Sequence, residues 1–191
     1  MSFTIDWWWP FQEEINSQFG FSKSREEVSS RLISRLYQPK GNLAKLLLNN
    51  TVTIVGAGIT ENDQIPEGTL IAADGAVSAC LKRNLVPEIV IHGHGDNLSR
   101  LFEFSTKINP ISLTTTYPSS KTNCWGGFTD GDRSLMMSLG LGAELVNLVG
   151  FNFEEIGEYT GNFSFKKLQK LSWARKIVNK CKEETGKVQI F

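Results

Sequence analysis

Only two histidines occur in the chain, and both fall in one hexapeptide, His92-Gly93-His94-Gly95-Asp96-Asn97. An apolar, strand-like run from Glu88 to Ile91 leads directly into it. Imidazoles, a carboxylate and a carboxamide therefore gather at a strand's carboxyl end, where ligands bind in open α/β sheets. Gly93 and Gly95 allow a sharp turn or a close approach to a ligand. Histidines at i and i+2 of an extended segment point to opposite sides. One His facing substrate, with Asp96 facing a hard cation, suits this spacing better than a zinc site, which needs further ligands. The competing reading is plain turn chemistry, with Asp96 or Asn97 capping the next helix.

Three more clusters of this kind follow strand-like runs. Gly56-Ala57-Gly58 follows Thr51–Val55, and paired glycines there let backbone N–H groups face a phosphate. Glu61 replaces the third glycine of the dinucleotide fingerprint, so a phosphate or nucleotide is expected rather than a nicotinamide cofactor. Asp74 follows Leu70–Ala73 and can bind nucleotide, hold a cation or cap a helix. The densest cluster is Gly126-Gly127-Phe128-Thr129-Asp130-Gly131-Asp132-Arg133, which opens a helix. Asp130 and Asp132 can hold Mg²⁺ against a phosphate, and Arg133 can clamp that phosphate bidentately. Carboxylates among glycine turns suit a magnesium–nucleotide site, because phosphoryl chemistry needs positioned cations and donors more than a strong nucleophile.

The elements that must position these loops alternate in type. Strands are expected at Thr51–Val55, Leu70–Ala73, Glu88–Ile91, Ile111–Thr114, Leu145–Val149 and Val188–Phe191. Helices are expected at Ala76–Arg83, Leu98–Thr106, Ser134–Leu141 and Phe165–Thr185, the last stopped by Gly186. The alternation argues an α/β fold, a mainly parallel sheet with helices on both faces. Residues 1–50 read as a helical segment packed on the 51–191 core. Phe11–Phe19 forms one helix there, Ser24 and Glu27 make a capping box, and Val28, Leu32 and Leu36 follow at helical spacing, joined by Ile33. Trp7-Trp8-Trp9 is expected to pack this segment onto the core.

The 191 residues balance 20 basic against 20 acidic side chains, which leaves no electrostatic footprint for nucleic acid or an anionic membrane. No apolar run reaches a membrane span, and the N-terminus lacks a signal-peptide pattern. Three widely spaced cysteines fit reduced thiols in the cytoplasm.

The four clusters, with Phe19-Gly20-Phe21-Ser22 near the front and Val149-Gly150-Phe151-Asn152-Phe153 near the end, resemble the archaeal 6-hydroxymethyl-7,8-dihydropterin pyrophosphokinases, relatives of thiamine pyrophosphokinase. The resemblance runs through nearly the whole chain in the same order. It implies Mg²⁺-dependent transfer of diphosphate from ATP to the hydroxymethyl oxygen of a reduced pterin, with release of AMP. It implies His94, Asp96, Asp130, Asp132 and Arg133 as catalytic residues, and Asp96, Asp130 and Asp132 as metal ligands. Gly56, Gly58, Asp74, Asn97, Gly126, Gly127 and Thr129 would bind nucleotide or pterin. A homodimer is expected from the relatives alone. Two departures stand out: an acidic Asp-x-Asp-Gly segment usual before the His loop is missing, and Asn152 stands where Asp is common. A pterin- or nucleotide-binding protein without turnover, or a sugar-nucleotide-dependent transferase, are the alternatives these departures leave open.

Overall fold

The structure, a computed structural model, describes residues 3–36, 42–73, 75–93, 112–120, 122, 124–157, 159 and 163–191. Among the described residues six strands form one sheet: β1 (Thr51–Val55), β2 (Thr69–Ala73), β3 (Glu88–Gly93), β4 (Ser112–Thr115), β5 (Leu145–Val149) and β6 (Val188–Ile190). Every neighbouring pair is parallel, and the order is β4-β3-β2-β1-β5-β6. Both faces of such a sheet must be covered, which is why β1 and β5 read as almost unbroken apolar runs.

Alternation along the strands divides the core in two. Val52, Ile54, Ile71, Val146 and Leu148 point to one face. They pack under α1 (Trp8–Phe19), α3 (Leu43–Leu47), α5 (Asp130–Gly140) and α6 (Phe165–Thr185). Val55, Ala72 and Val149 point to the other face, beneath α4 (Ala76–Lys82). The chain runs outward from β1 to β4, then returns to lay β5 against the far side of β1. The direction of winding reverses between β1 and β5, and their carboxyl ends flank the crevice where doubly wound folds bind ligands. Residues 56–58 and 150–152 sit at that place.

The helical N-terminal segment differs in detail from its sequence reading. α1 begins at Trp8, so Trp8 and Trp9 belong to the helix and Trp7 stands at its N-cap; Trp8 is wholly buried in one core cluster with Ile15 and Leu47. α2 (Lys23–Leu36) begins earlier than the expected capping box, with the Ser22 hydroxyl accepting from Arg25 N–H at 3.4 Å. The apolar spacing does not mark its packed face. Val28 and Leu32 are 49% and 40% exposed, while Glu26, Ser29, Ser30, Ile33 and Ser34 are buried. The apolar spacing alone could not reveal that the inward side of α2 meets the hydroxyls of Thr116 and Ser120. The expected helix Leu98–Thr106 lies outside the described residues.

Candidate functional site

The glycine turn after β1 is locked to the end of β5. Gly56 N–H donates to Val149 O at 2.8 Å, and Gly58 N–H donates to Gly150 O at 3.0 Å. A Cβ at either glycine would stand 2.8 Å from Gly150 O, so no other residue fits. These two amides are committed to backbone carbonyls and are not the outward-facing phosphate donors expected from the sequence. Gly157 closes the same knot, since a Cβ there would meet Ala57 O at 2.4 Å. Arg83, at the end of α4, ties the following loop down through Asp63 O at 2.9 Å and Thr60 O.

The cluster opening α5 is better ordered than its spacing suggests, and more closed. Thr129 is the N-cap, and Asp132 is the third helical residue. The Asp132 carboxylate accepts from Thr129 N–H at 3.0 Å, from Thr129 Oγ at 2.6 Å and from Phe128 N–H. It is fully buried. Burial pushes its carboxyl above the usual range, while the donors from Thr129 and Phe128 and the nearby Arg133 pull it back. With its oxygens taken by these donors, Asp132 does not fit the ligand role that Asp-x-Asp spacing suggested. It acts here as the inward half of a capping box. Asp130, in the first turn of the same helix, remains partly exposed.

Arg133 is 3% exposed. Its guanidinium reaches Gly126 O at 3.4 Å and Thr115 O at 3.5 Å, bridging the Gly-Gly turn and the end of β4. Nε has no partner among the described residues. Burial lowers its pKa, and Asp132, Cys124, Asp130 and Glu26 raise it again. Gly126 and Gly127 have φ of 81° and 88°, in the left-handed region, and wrap around this side chain. A Cβ on Gly127 would stand 2.7 Å from Arg133 Cα, and one on Gly126 would stand 2.7 Å from Trp8. The N-terminal helix thus braces the turn that encloses Arg133, and Trp8 is part of the site's support.

Two charged groups near this loop, on α6 and α2, gave no sequence signal, unlike the aromatic residues beside them. Phe19, Phe21 and Phe128 form an aromatic cluster, with Phe19 and Phe128 centroids 4.9 Å apart. Lys166 and Lys170 of α6 stand over these rings at 5.3–5.9 Å, placing two cations beside the α5 N-terminus. Glu26 of α2 is buried against Thr116 Oγ1 at 3.4 Å. Neither was legible, because lysines on a basic helix and a Glu beside Glu27 are ordinary surface residues in a linear reading.

β3 pairs the backbone of His92 with Thr114 and that of Gly93 with Thr115, so the strand ends beside the carboxyl end of β4. Asp74, His94, Asp96 and Asn97 lie outside the described residues. Among the described residues no group of three His, Cys, Asp or Glu side chains is placed to hold a metal. Of the three carboxylates expected to hold Mg²⁺, Asp130 is described and accessible, and Asp132 does not fit. All three cysteines are free; burial raises the Cys80, Cys124 and Cys181 thiols above their ordinary value. No helix among the described residues is long and apolar enough to cross a membrane.

The topology and the loops at the strands' carboxyl ends define a doubly wound parallel α/β protein with its candidate site at one edge of the sheet. No protein-family model matches the chain. The chain is similar along almost its whole length to archaeal proteins named 6-hydroxymethyl-7,8-dihydropterin pyrophosphokinase. The protein of that name from Pyrococcus furiosus is 29% identical, over 96% of each chain. Those from Methanocaldococcus jannaschii and Methanothermobacter thermautotrophicus are 24% and 26% identical, over 93% and 78% of this chain. The first two alignments run over 229 and 232 residues against a chain of 191, so those proteins contain segments with no counterpart here.

Proposed function

We propose that this protein is a diphosphokinase that transfers diphosphate from ATP to 6-hydroxymethyl-7,8-dihydropterin and releases AMP. The similarity to the Pyrococcus furiosus protein of that name, over 96% of both chains, carries the reading. In the reaction the pterin's hydroxymethyl oxygen attacks the β-phosphorus of ATP. The bond from that phosphorus to the α,β-bridging oxygen breaks, and AMP leaves with the bridging oxygen. The hydroxyl proton goes to a base, for which His94 is the candidate.

Mg²⁺ is the proposed cofactor; when bound it neutralises phosphate charge. Asp130 and Asp96 are its proposed ligands, and Asp132 is withdrawn from that role because its oxygens are saturated from within. The chain's own contribution at the described residues is positional. Asp132 and Arg133 fix the Gly126–Thr129 turn, with Gly126 and Gly127 held in left-handed backbone. Lys166 and Lys170 supply positive charge beside it, where a triphosphate would lie. Gly56 and Gly58 serve by permitting close packing of the β1 and β5 ends, which sets the floor of the nucleotide crevice. Asp74 and Asn97 are proposed to contact nucleotide or pterin. A cytoplasmic location and a homodimer belong to the same reading.

The test is nucleotide product analysis. Purified protein with ATP, Mg²⁺ and the reduced pterin should yield pterin-dependent AMP, and Asp130→Ala should abolish it. ADP as the product would overturn the diphosphokinase reading.

A further inference from the structure

Two glycines from different elements touch one aromatic ring. Gly56 begins the turn after β1, and Gly131 lies in the first turn of α5. A Cβ on Gly56 would stand 3.0 and 3.1 Å from Phe151 Cδ2 and Cε2. One on Gly131 would stand 2.8 and 2.9 Å from Phe151 Cε1 and Cζ. Ordinary carbon contacts lie at about 3.5–4.0 Å. The ring therefore fills the place where a side chain would begin on both glycines, and it turns different atoms to each.

The segment that carries the ring is held on both sides. Gly150 O accepts from Gly58 N–H at 3.0 Å, and Asn152 Oδ1 accepts from Glu154 N–H at 2.9 Å and Glu155 N–H at 3.1 Å. Phe153 packs edge-on against Phe151, with centroids 6.2 Å apart. Arg175 of α6 stands over Phe153 at 5.9 Å and pairs with Glu154 at 2.6 Å. Asp132 and Arg133 tie the Gly126–Thr129 turn to its own helix and to β4. The Phe151 ring links the start of that helix to β1. A packed ring does not compress, so its width sets how close the two can come.

We propose that Phe151 is a positioning residue for diphosphate transfer: its ring is the spacer that fixes the first turn of α5 against the end of β1, and with it the place of Asp130 at the crevice. The inference rests on the proposed function for the reaction that is positioned. Phe151 acts through Asp130 and the helix start, and not by contact with substrate. A misplacement of about 1 Å behind a reacting centre can cost on the order of 100-fold in rate, so the spacer matters to turnover more than to binding.

A double-substitution cycle on the full chain tests it. Leucine at 151 lacks the atoms that meet Gly131, Cε1 and Cζ, so a methyl added at 131 enters the space they leave. Thermal unfolding in excess chelator and steady-state AMP formation are measured for wild type, Phe151→Leu, Gly131→Ala and the double variant, with rates taken well below each Tm. Gly131→Ala should lower Tm in the wild-type background and raise it beside Phe151→Leu, because alanine is the better helix former once the ring is gone. Each single variant should lose roughly 10- to 100-fold in kcat with KM for ATP and for the pterin within about threefold of wild type. The double variant should recover kcat to within about threefold of wild type. Wild-type kcat in a folded Phe151→Leu protein, or Tm losses that simply add in the double variant, overturns the inference and leaves the proposed function standing. So does a loss confined to KM, which would make Phe151 a binding residue. Gly131→Ala alone poses the same question through kcat if Phe151→Leu does not fold. Wild-type protein that forms no pterin-dependent AMP would refute the proposed function and this role together.

Discussion

Replacing Asp132 with alanine separates a structural carboxylate from a metal ligand. In the wild-type protein its oxygens accept Phe128 N–H, Thr129 N–H and Thr129 Oγ–H at a fully buried position. Alanine leaves these donors unsatisfied and removes the carboxylate beside the buried Arg133. An orphaned buried donor costs about 1–3 kcal/mol, and three donors are orphaned together here, with the terms overlapping. A loss of about 4 kcal/mol is expected for the substitution, which at this chain length lowers Tm by roughly 8–16 °C. The assay is thermal unfolding of both proteins in excess chelator, so that any metal contribution is absent. A carboxylate that faced solvent to await a cation would leave the stability of the metal-free protein almost untouched. A Tm for Asp132→Ala within about 2 °C of wild type would therefore refute the inward capping role.

Two further contrasts follow from the geometry. Gly126→Ala should cost about 3 kcal/mol, from the left-handed backbone and the contact with Trp8 and Met136, whereas Gly20→Ala, also left-handed but in open space, should cost about 1 kcal/mol; denaturant unfolding of the two variants measures the difference. On α2, Val28→Ser with Leu32→Ser should leave Tm nearly unchanged, whereas Ile33→Ala should cost about 2–4 kcal/mol; equal losses would show that the apolar stripe, and not the serine face, is packed.

How far the fold could be read from the sequence depended on which groups a pattern exposes. β1, β5 and α6 were legible because Thr51–Val55 and Leu145–Val149 are largely apolar, β-branched-rich runs and Gly186 marks a helix stop. The strand order was not legible, since nothing in β5 states that it returns beside β1. The helix α2 was legible but its packed face was not, because Val28, Leu32 and Leu36 satisfy helical spacing whichever face is buried. Burial is a property of the partner surface, here Thr116 and Ser120. In the candidate site, the Gly126–Arg133 cluster was found by density of residue types, but the inward turn of Asp132 was not. Asp at the third helical position serves a cap or a cation with the same spacing, and only burial separates the two. Gly56 and Gly58 illustrate the same limit: a glycine pair announces close approach, and here what approaches is the Gly150 carbonyl.

The most direct measurement of the central claim is the nucleotide product formed from ATP, Mg²⁺ and 6-hydroxymethyl-7,8-dihydropterin. The account expects AMP in amounts that depend on the pterin, with the diphosphate recovered on the pterin's hydroxymethyl oxygen. ADP, or AMP that forms equally well without the pterin, would contradict it.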